Sequence, residues 1–430
     1  MDGVSSLWLY DPREDGWMQL PNSGMTTFGS SGHICYHPSG PTGTASAGTS
    51  TTITTTTNLP GSMAGYVIRI TGGTGAGQER TISSNTFGSN SVITVTSSWT
   101  TNPDNTSTYL LLTGRVWALN GSTTLGLRYY DVATNTWSAA LTTTGLSAVT
   151  GTWQITATPG YGNTIASGTA TSGGATTLTN SGKSWATNQW ANYQVRLTGG
   201  TGAGQVRTIS SNTGTVLTVS SSWGTNPDST STYVIEGNDD YIYAVVQGAV
   251  TLYRYSISGN SWSTLSPGVA RGANFGQAGS LNWIANTSDT TWADETAIKN
   301  GRYLFSWQGG SSANLSYYDI AANSWTNLTN TYQRGNASNF TPTTGYFYAL
   351  DREFIYIIQP STSPPALCWR YNCVTQTLDP YTQWSYPLGN TASGQRASVV
   401  SYTDGGTTIR WIYVQPQSTS PYPFFRMMII

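Results

Sequence analysis

Charge is scarce in this chain. Asp, Glu, Lys and Arg make up 9% of its 430 residues, against about 25% in typical soluble domains. Eighteen basic and 19 acidic residues leave a net charge of −1. With neither a basic stripe nor an acidic tail, the composition argues against electrostatic capture of nucleic acid. Cysteine is nearly absent: Cys35, Cys368 and Cys373 are too few and too irregular for a disulfide framework. Histidine occurs only at 33 and 37. No apolar run is long enough to cross a membrane. The opening MDGVSSLWLYD lacks the basic and apolar segments of a secretory signal. These scarcities predict synthesis in a reducing cytoplasm. Low charge also removes the usual defence against self-association, which points to a chain held in an assembly.

Gly, Ser, Thr and Asn fill the space that charge leaves. Such polarity could signal disorder, but 12% aromatic residues with 17 Trp supply a core that disordered chains lack. Short strands rich in aromatic and β-branched residues, separated by polar turns, predict an all-β protein.

Two internal repeats organise it. In the first, Tyr10, Tyr130, Tyr255 and Tyr318 are each followed at one fixed spacing by Trp17, Trp137, Trp262 and Trp325. A fifth copy keeps Tyr371 but has Leu378 in place of Trp. The intervening DVATN, SISGN and DIAAN are turn sequences whose Asp and Asn side chains bond nearby backbone. A hairpin is therefore predicted, with Tyr closing one strand and Trp opening the next. Further aromatic strands precede these (RVWALNG, YIYAVVQG, RYLFSWQGG, FIYIIQP), so the unit is a small antiparallel sheet that must stack on others to bury its faces. This pattern resembles the Kelch and galactose-oxidase class of β-propellers over residues 1–41, 114–165 and 238–430. A clean Gly-Gly pair occurs only at 309–310. Five repeat units plus a terminal one allow five to seven blades, with six expected, and the apolar FFRMMII is expected to be buried beside SSLWLYD, closing the ring.

The second repeat is sharper. YVIRITGGTGAGQERTISSNT at 66–86 matches YQVRLTGGTGAGQVRTISSNT at 193–213, and VITVTSSWTTNPDNTSTYLL at 92–111 matches VLTVSSSWGTNPDSTSTYVI at 216–235. Two small inserted β domains follow, at 42–113 and 166–237, each of about four strands. Ile68 and Ile70 flank Arg69, as Val195 and Leu197 flank Arg196, which predicts one buried and one wet face. Arg69, Arg80, Arg196 and Arg207 are the candidate contact residues of the inserts, and a solvated sheet face is their simpler reading. The shared GGTGAGQxR and W-x-TNPD-x-TSTY pattern is similar to modules in virion proteins of tailed bacteriophages.

Other motifs admit chemistry. GGTGAG could cradle phosphate, but that needs a helix after the loop, and QERTISSN reads as a strand. His33, Cys35 and His37 fall on one strand face and could begin a metal site, with no further ligand evident. The two histidines share one segment, which does not match the galactose-oxidase copper site. Asp289, Asp294, Glu295, Asp351 and Glu353 show no pairing that would mark a glycosidase. Trp153, Trp185, Trp190, Trp283, Trp292 and Trp384 lie outside the Tyr-to-Trp spacing. They are candidates either for exposed contact surfaces or for burial under loops.

The sequence thus leads to a non-enzymatic, Kelch-like β-propeller of about six blades with two small inserted β domains. The resemblances imply a structural protein of a tailed-phage virion, a tail nozzle or neck component in a homo-oligomeric ring. Its inserts would contact neighbouring subunits; its partners would be other virion proteins and its own copies. No cofactor, catalytic or metal residue is assigned. A glycan-binding adhesin or capsid-decorating protein that reads a host-surface glycan is one alternative, and a polysaccharide-acting enzyme another.

Overall fold

A computed structural model describes residues 7–11, 16–24, 32–121, 125–147, 151–272, 275, 280–285, 287, 290–293, 295, 300–309, 312–328, 347–359, 366–378, 384–386, 396–404, 407–415 and 425–429. Their regular secondary structure is antiparallel strands, apart from one helical turn at Thr290–Ala293, and turns and irregular segments connect them. No helix among them is long and apolar enough to cross a membrane. The chain divides into two units. One comprises Met1–Ala148, Ile155–Tyr243 and Arg254–Ser263; the other comprises Val149–Gln154, Ala244–Tyr253 and Thr264–Ile430.

The Tyr-to-Trp segments are hairpins. Tyr130 lies opposite Trp137, Tyr318 opposite Trp325, and Tyr10 opposite Trp17. Ring centroids are 5.7 Å apart for Tyr130–Trp137, 5.0 Å for Tyr255–Trp262 and 5.4 Å for Tyr318–Trp325. The turn explains the spacing. Asp131 Oδ1 accepts from the Ala133 and Thr134 amides, and Asp319 Oδ1 from those of Ala321 and Ala322. The last turn residue is left-handed: Asn135, Asn260 and Asn323 have φ of 55°, 42° and 48°, a region Asn tolerates better than most residues. Each of these Asn side chains accepts the hydroxyl of the Tyr that starts its hairpin.

Four-stranded sheets grow from these hairpins. The Trp137 sheet runs Thr136–Trp137, Leu125–Asp131, Arg115–Gly121, His33–His37. The Trp262 sheet runs Trp153–Ala157, Tyr241–Val246, Tyr253–Ser256, Ser261–Thr264, and the Trp325 sheet Ser280–Trp283, Tyr303–Gly309, Ser312–Asp319, Ser324–Leu328. The Tyr371 sheet holds Phe347–Asp351, Phe354–Gln359, Ala366–Asn372 and Thr377–Leu378, with Trp384–Tyr386 also on Ala366–Asn372. Two smaller sheets are Trp8–Asp11 with Gly16–Gln19, and Arg396–Asp404, Thr407–Gln415, Phe425–Ile429. Phe425–Ile429 pairs Thr407–Gln415, and Trp8–Asp11 pairs Gly16–Gln19. Trp17 is 48% exposed, whereas its repeat counterparts Trp137, Trp262 and Trp325 are buried.

Successive hairpins share a docking contact. Trp137 Nε1 donates to Pro21 O, in the chain leaving the first hairpin, at 3.0 Å. Trp262 Nε1 donates to Thr142 O, after the second, also at 3.0 Å. For Trp325 the backbone serves instead: its amide donates to Val269 O at 3.0 Å, while Asn323 Nδ2 donates to Ser266 O.

Each insert enters between two adjacent strands, the first between His33–His37 and Arg115–Gly121, the second between Trp153–Ala157 and Tyr241–Val246. Both have seven strands rather than the four or so expected. In the first, Thr42–Thr44 pairs Thr108–Leu112; the chain then changes partner at Ala45 and Ser46, and Ala47–Gly48 pairs Thr52–Thr54. One continuous segment joins both ends of the sheet. Thr164–Thr169 and Ser172–Gly174 do the same in the second insert. A register shift between Ile82 and Ser84 bends the sheet, so that Glu79–Asn85 serves Val67–Gly72 and then Val92–Val95. Ile53, Leu59, Ile68, Ile70, Ile82, Ile93 and Tyr109 fill the first interior.

Replacing Asn260 by Ala should lower stability by about 1–3 kcal/mol, through left-handed strain and loss of the Tyr255 and Thr142 hydrogen bonds. Asn260→Gly should recover the strain part alone, which denaturant midpoints of the two variants would separate.

Candidate functional site

The residues shared by the two inserts mostly hold each insert together. In TGGTGAGQ, Gly73, Gly75 and Gly77 have φ of 71°, 80° and 88°, and Gly200, Gly202 and Gly204 have 70°, 78° and 86°. Such angles suit glycine, and the loop is a strand-to-strand turn with no helix behind it. Gln78 clamps it: Nε2 donates to Gly75 O (3.0 Å) and Thr101 O (2.8 Å), and Oε1 accepts the Thr100 amide (2.6 Å). Gln205 repeats this with Gly202, Thr225 and Gly224. Asp104 Oδ1 accepts the Thr106 amide and hydroxyl, and Asp228 Oδ1 those of Thr230. These bonds hold both exposed carboxyls below the ordinary aspartate value.

The candidate contact arginines separate into two kinds. Arg80 Nε donates to Ser98 O at 2.9 Å and its guanidinium lies 5.4 Å from the Trp99 ring; Arg207 does the same to Ser222 and Trp223 at 2.9 and 5.6 Å. Both pin the W-x-TNPD loop of their own insert. Arg69 and Arg196 are not on a wet face: they are 2% and 8% exposed. The alternation failed because a charge cluster covers the second face. Arg69 Nε meets Glu79 Oε1 at 2.6 Å. Arg196 makes a two-pronged contact with Glu236, Nε–Oε1 at 2.9 Å and Nη2–Oε2 at 3.2 Å, and its Nη1 reaches Glu79 at 3.2 Å. The last of these bonds crosses from one insert to the other.

Asp239, just past the second insert, extends the cluster. It accepts the Gly160 amide, and its own amide donates to Gln194 Oε1. His37 Nε2 lies 3.7 Å from Asp239 Oδ1, while His37 Nδ1 accepts the Ser39 amide. Burial, and then Arg115, lower the His37 pKa to about 4, so the ring is neutral at neutral pH. Burial raises Glu236 and Asp239 against the pull of the arginines. Tyr161, 6.0 Å beneath Arg69, is raised by burial and then by Glu79. The arrangement can neutralise buried charge and join chain segments.

The glycine turns of the two inserts also face each other. A Cβ on Gly77 would lie 2.9 Å from Thr198 O and 3.1 Å from Ala203 Cβ; one on Gly204 would lie 2.8 Å from Thr71 O and 3.0 Å from Ala76 Cβ. Thr71 and Thr198 are counterparts, as are Ala76 and Ala203, so the contact is reciprocal.

Other candidates resolve otherwise. His33 Nδ1 accepts the Ile155 amide. Among the described residues, no three His, Cys, Asp or Glu converge to hold a metal. Trp153, Trp185, Trp190, Trp283 and Trp292 are buried, which decides against the contact-surface reading. The Trp384 side chain, Asp289, Asp294 and the Asp351 side chain lie outside the described residues. Glu353 is buried and Glu295 half-buried. The sequence reading missed Glu79, Glu236 and Asp239. For Glu79 and Glu236 the signal lay where the repeats differ: the other copy has Val206 in place of Glu79, and Leu112 in place of Glu236.

No protein-family model matches the chain, and comparison with curated proteins finds no match. Among solved structures, it is similar to an auxiliary nutrient binding protein from Bacteroides thetaiotaomicron VPI-5482, at 11% identity over 93% of this chain and 86% of that one. The TM-score is 0.25, a likeness that carries no argument.

Gly204→Ala should cost about 1–3 kcal/mol from strain and overpacking, more than Gly162→Ala, where φ is also positive (75°) but no atom lies within 4 Å. Thermal melts of both variants test this. His37 contributes stability that is complete above pH 6.5 and is lost as pH falls toward 4, because its folded pKa is depressed, a span of roughly 3 kcal/mol. The raised carboxylates act oppositely, favouring the fold as pH falls. The comparison must therefore be with His37→Gln, whose stability should lose less between pH 6.5 and 4 than that of the parent chain.

Proposed function

We propose that this chain is a non-enzymatic structural protein of a tailed-phage virion. In this reading it is a Kelch-like β-propeller of about six blades with two inserted β domains, and it serves as a platform in a homo-oligomeric ring at the tail nozzle or neck. The observation that carries the platform reading is the repeated docking of one hairpin on the chain leaving the previous one: Trp137 on Pro21, Trp262 on Thr142, and Trp325 on Val269. A contact that recurs from sheet to sheet is what a radial or linear stack requires. Among the described residues six sheets lie outside the inserts, a number compatible with about six blades.

The virion assignment rests on the likeness of the GGTGAGQxR and W-x-TNPD-x-TSTY segments to phage modules and on the low charge. The structural role is supported by the use of motif side chains as internal staples. Its partners are copies of itself and other virion proteins. It reads no nucleic-acid sequence. A second reading, a glycan-binding adhesin, is favoured by Trp8 and Trp17, which are 49% and 48% exposed on the first hairpin and could stack on sugar rings.

Light scattering of the purified protein should give a multimer, and immunogold should label the tail or neck of intact particles. A monomer that labels no particle would sink the structural reading. Binding on a glycan array that is lost in Trp8→Ala/Trp17→Ala would replace it with the adhesin.

A further inference from the structure

The two inserts touch through the same surface on each. Gly77 of the first lies against Thr198 and Ala203 of the second, and Gly204 of the second against the counterparts Thr71 and Ala76 of the first. A patch that meets its own equivalent is the signature of a two-fold, self-complementary interface. Here both halves belong to one chain. Glycine at 77 and 204 does two things: it allows the positive φ of the turn, and it lets the backbone of one insert approach a carbonyl of the other with no Cβ between them.

Charge reinforces the contact asymmetrically. Glu79, present only in the first insert, is shared between Arg69 of its own insert at 2.6 Å and Arg196 of the other at 3.2 Å. Arg196 in turn holds Glu236. The reciprocal bond cannot form, because Val206 stands where the second insert would need its acid. Around this pair lie Asp239, His37, Tyr161 and Arg115, all from chain next to the points where the inserts enter and leave, and Arg115 is itself paired with Asp131.

We propose that the facing TGAGQ turns and the Arg196–Glu79 bond form a clasp, so that the binding partner of each insert is its own duplicate in the same chain. This goes beyond the platform reading and does not depend on it. The clasp ties together two excursions of the chain that the sequence keeps far apart, and it occupies a surface that an exposed insert would otherwise present to neighbouring molecules.

Hydrogen exchange of the full chain tests it, read at the Leu197 and Gly204 amides, which are bonded within the second insert to Gln205 O and Leu197 O. Glu79→Gln should speed exchange there about tenfold or more, although residue 79 lies in the first insert. Gln78→Ala, whose lost bonds all lie within the first insert, should speed exchange only in that insert. Ala203→Asp provides the reverse arm, and should speed exchange at Gly77 and Ile70 without altering residue 79. Exchange confined to the mutated insert in both Glu79→Gln and Ala203→Asp, or unchanged throughout, overturns the clasp. The mass of each variant in solution is measured on the same samples, so failure of the clasp and failure of ring assembly are separate results.

Discussion

Unpaired strand edges are the constraint on which the rest of this structure depends. Proteins commonly protect an edge with lysine or an inward-pointing charge. At 9% charged residues, this chain has little of either. The inserts solve the problem geometrically: one segment changes partners midway and joins the two ends of the sheet, at Ala45–Ser46 and again at Ala170–Thr171. With the edges gone, a surface of Ser and Thr suffices. The few charges present can then be used in the interior, where Arg69, Arg196, Glu79, Glu236 and Asp239 gather.

That interior use is costly unless every charge is matched. Removing one partner of a buried pair typically costs about 3–5 kcal/mol, so the cluster is intolerant of single changes. It is also why Arg69 can sit at 2% exposure between two isoleucines. In the hairpins the same economy appears with neutral groups: an Asp bonds the turn, an Asn takes the left-handed position, and a Tyr hydroxyl closes on that Asn.

Much of this was legible. The Tyr-to-Trp spacing placed the hairpins and put Tyr130 opposite Trp137, because turn chemistry is local. The repeated segments inside both inserts were readable because the copies match, though the sheet of the second already includes Thr164–Thr169, which starts ahead of the expected bound at 166. The burial of Arg69 and Arg196 was not, since it depends on Glu236 and Asp239, which join the arginines only through folding. The alternation rule assumes that a polar residue on a strand faces water, and here it faces carboxylates. Closure of the insert sheets was hidden for a similar reason: Thr42–Thr44 and Ala47–Gly48 are too short to announce themselves as strands. Trp17 shows the opposite failure, a repeat position that is exposed where its counterparts Trp137, Trp262 and Trp325 are buried.

The place of the first insert also bears on how the chain acquires its shape. His33–His37 pairs with Arg115–Gly121, strands that the whole insert separates. In an unfolded chain, bringing them together means closing a long loop, an entropic penalty that grows with loop length. The insert begins with Thr42–Thr44 beside Thr108–Leu112, so once it folds its two ends are neighbours and the remaining gap is a few residues. With the insert folded, the pairing of His33–His37 with Arg115–Gly121 closes a loop of a few residues in place of one as long as the insert.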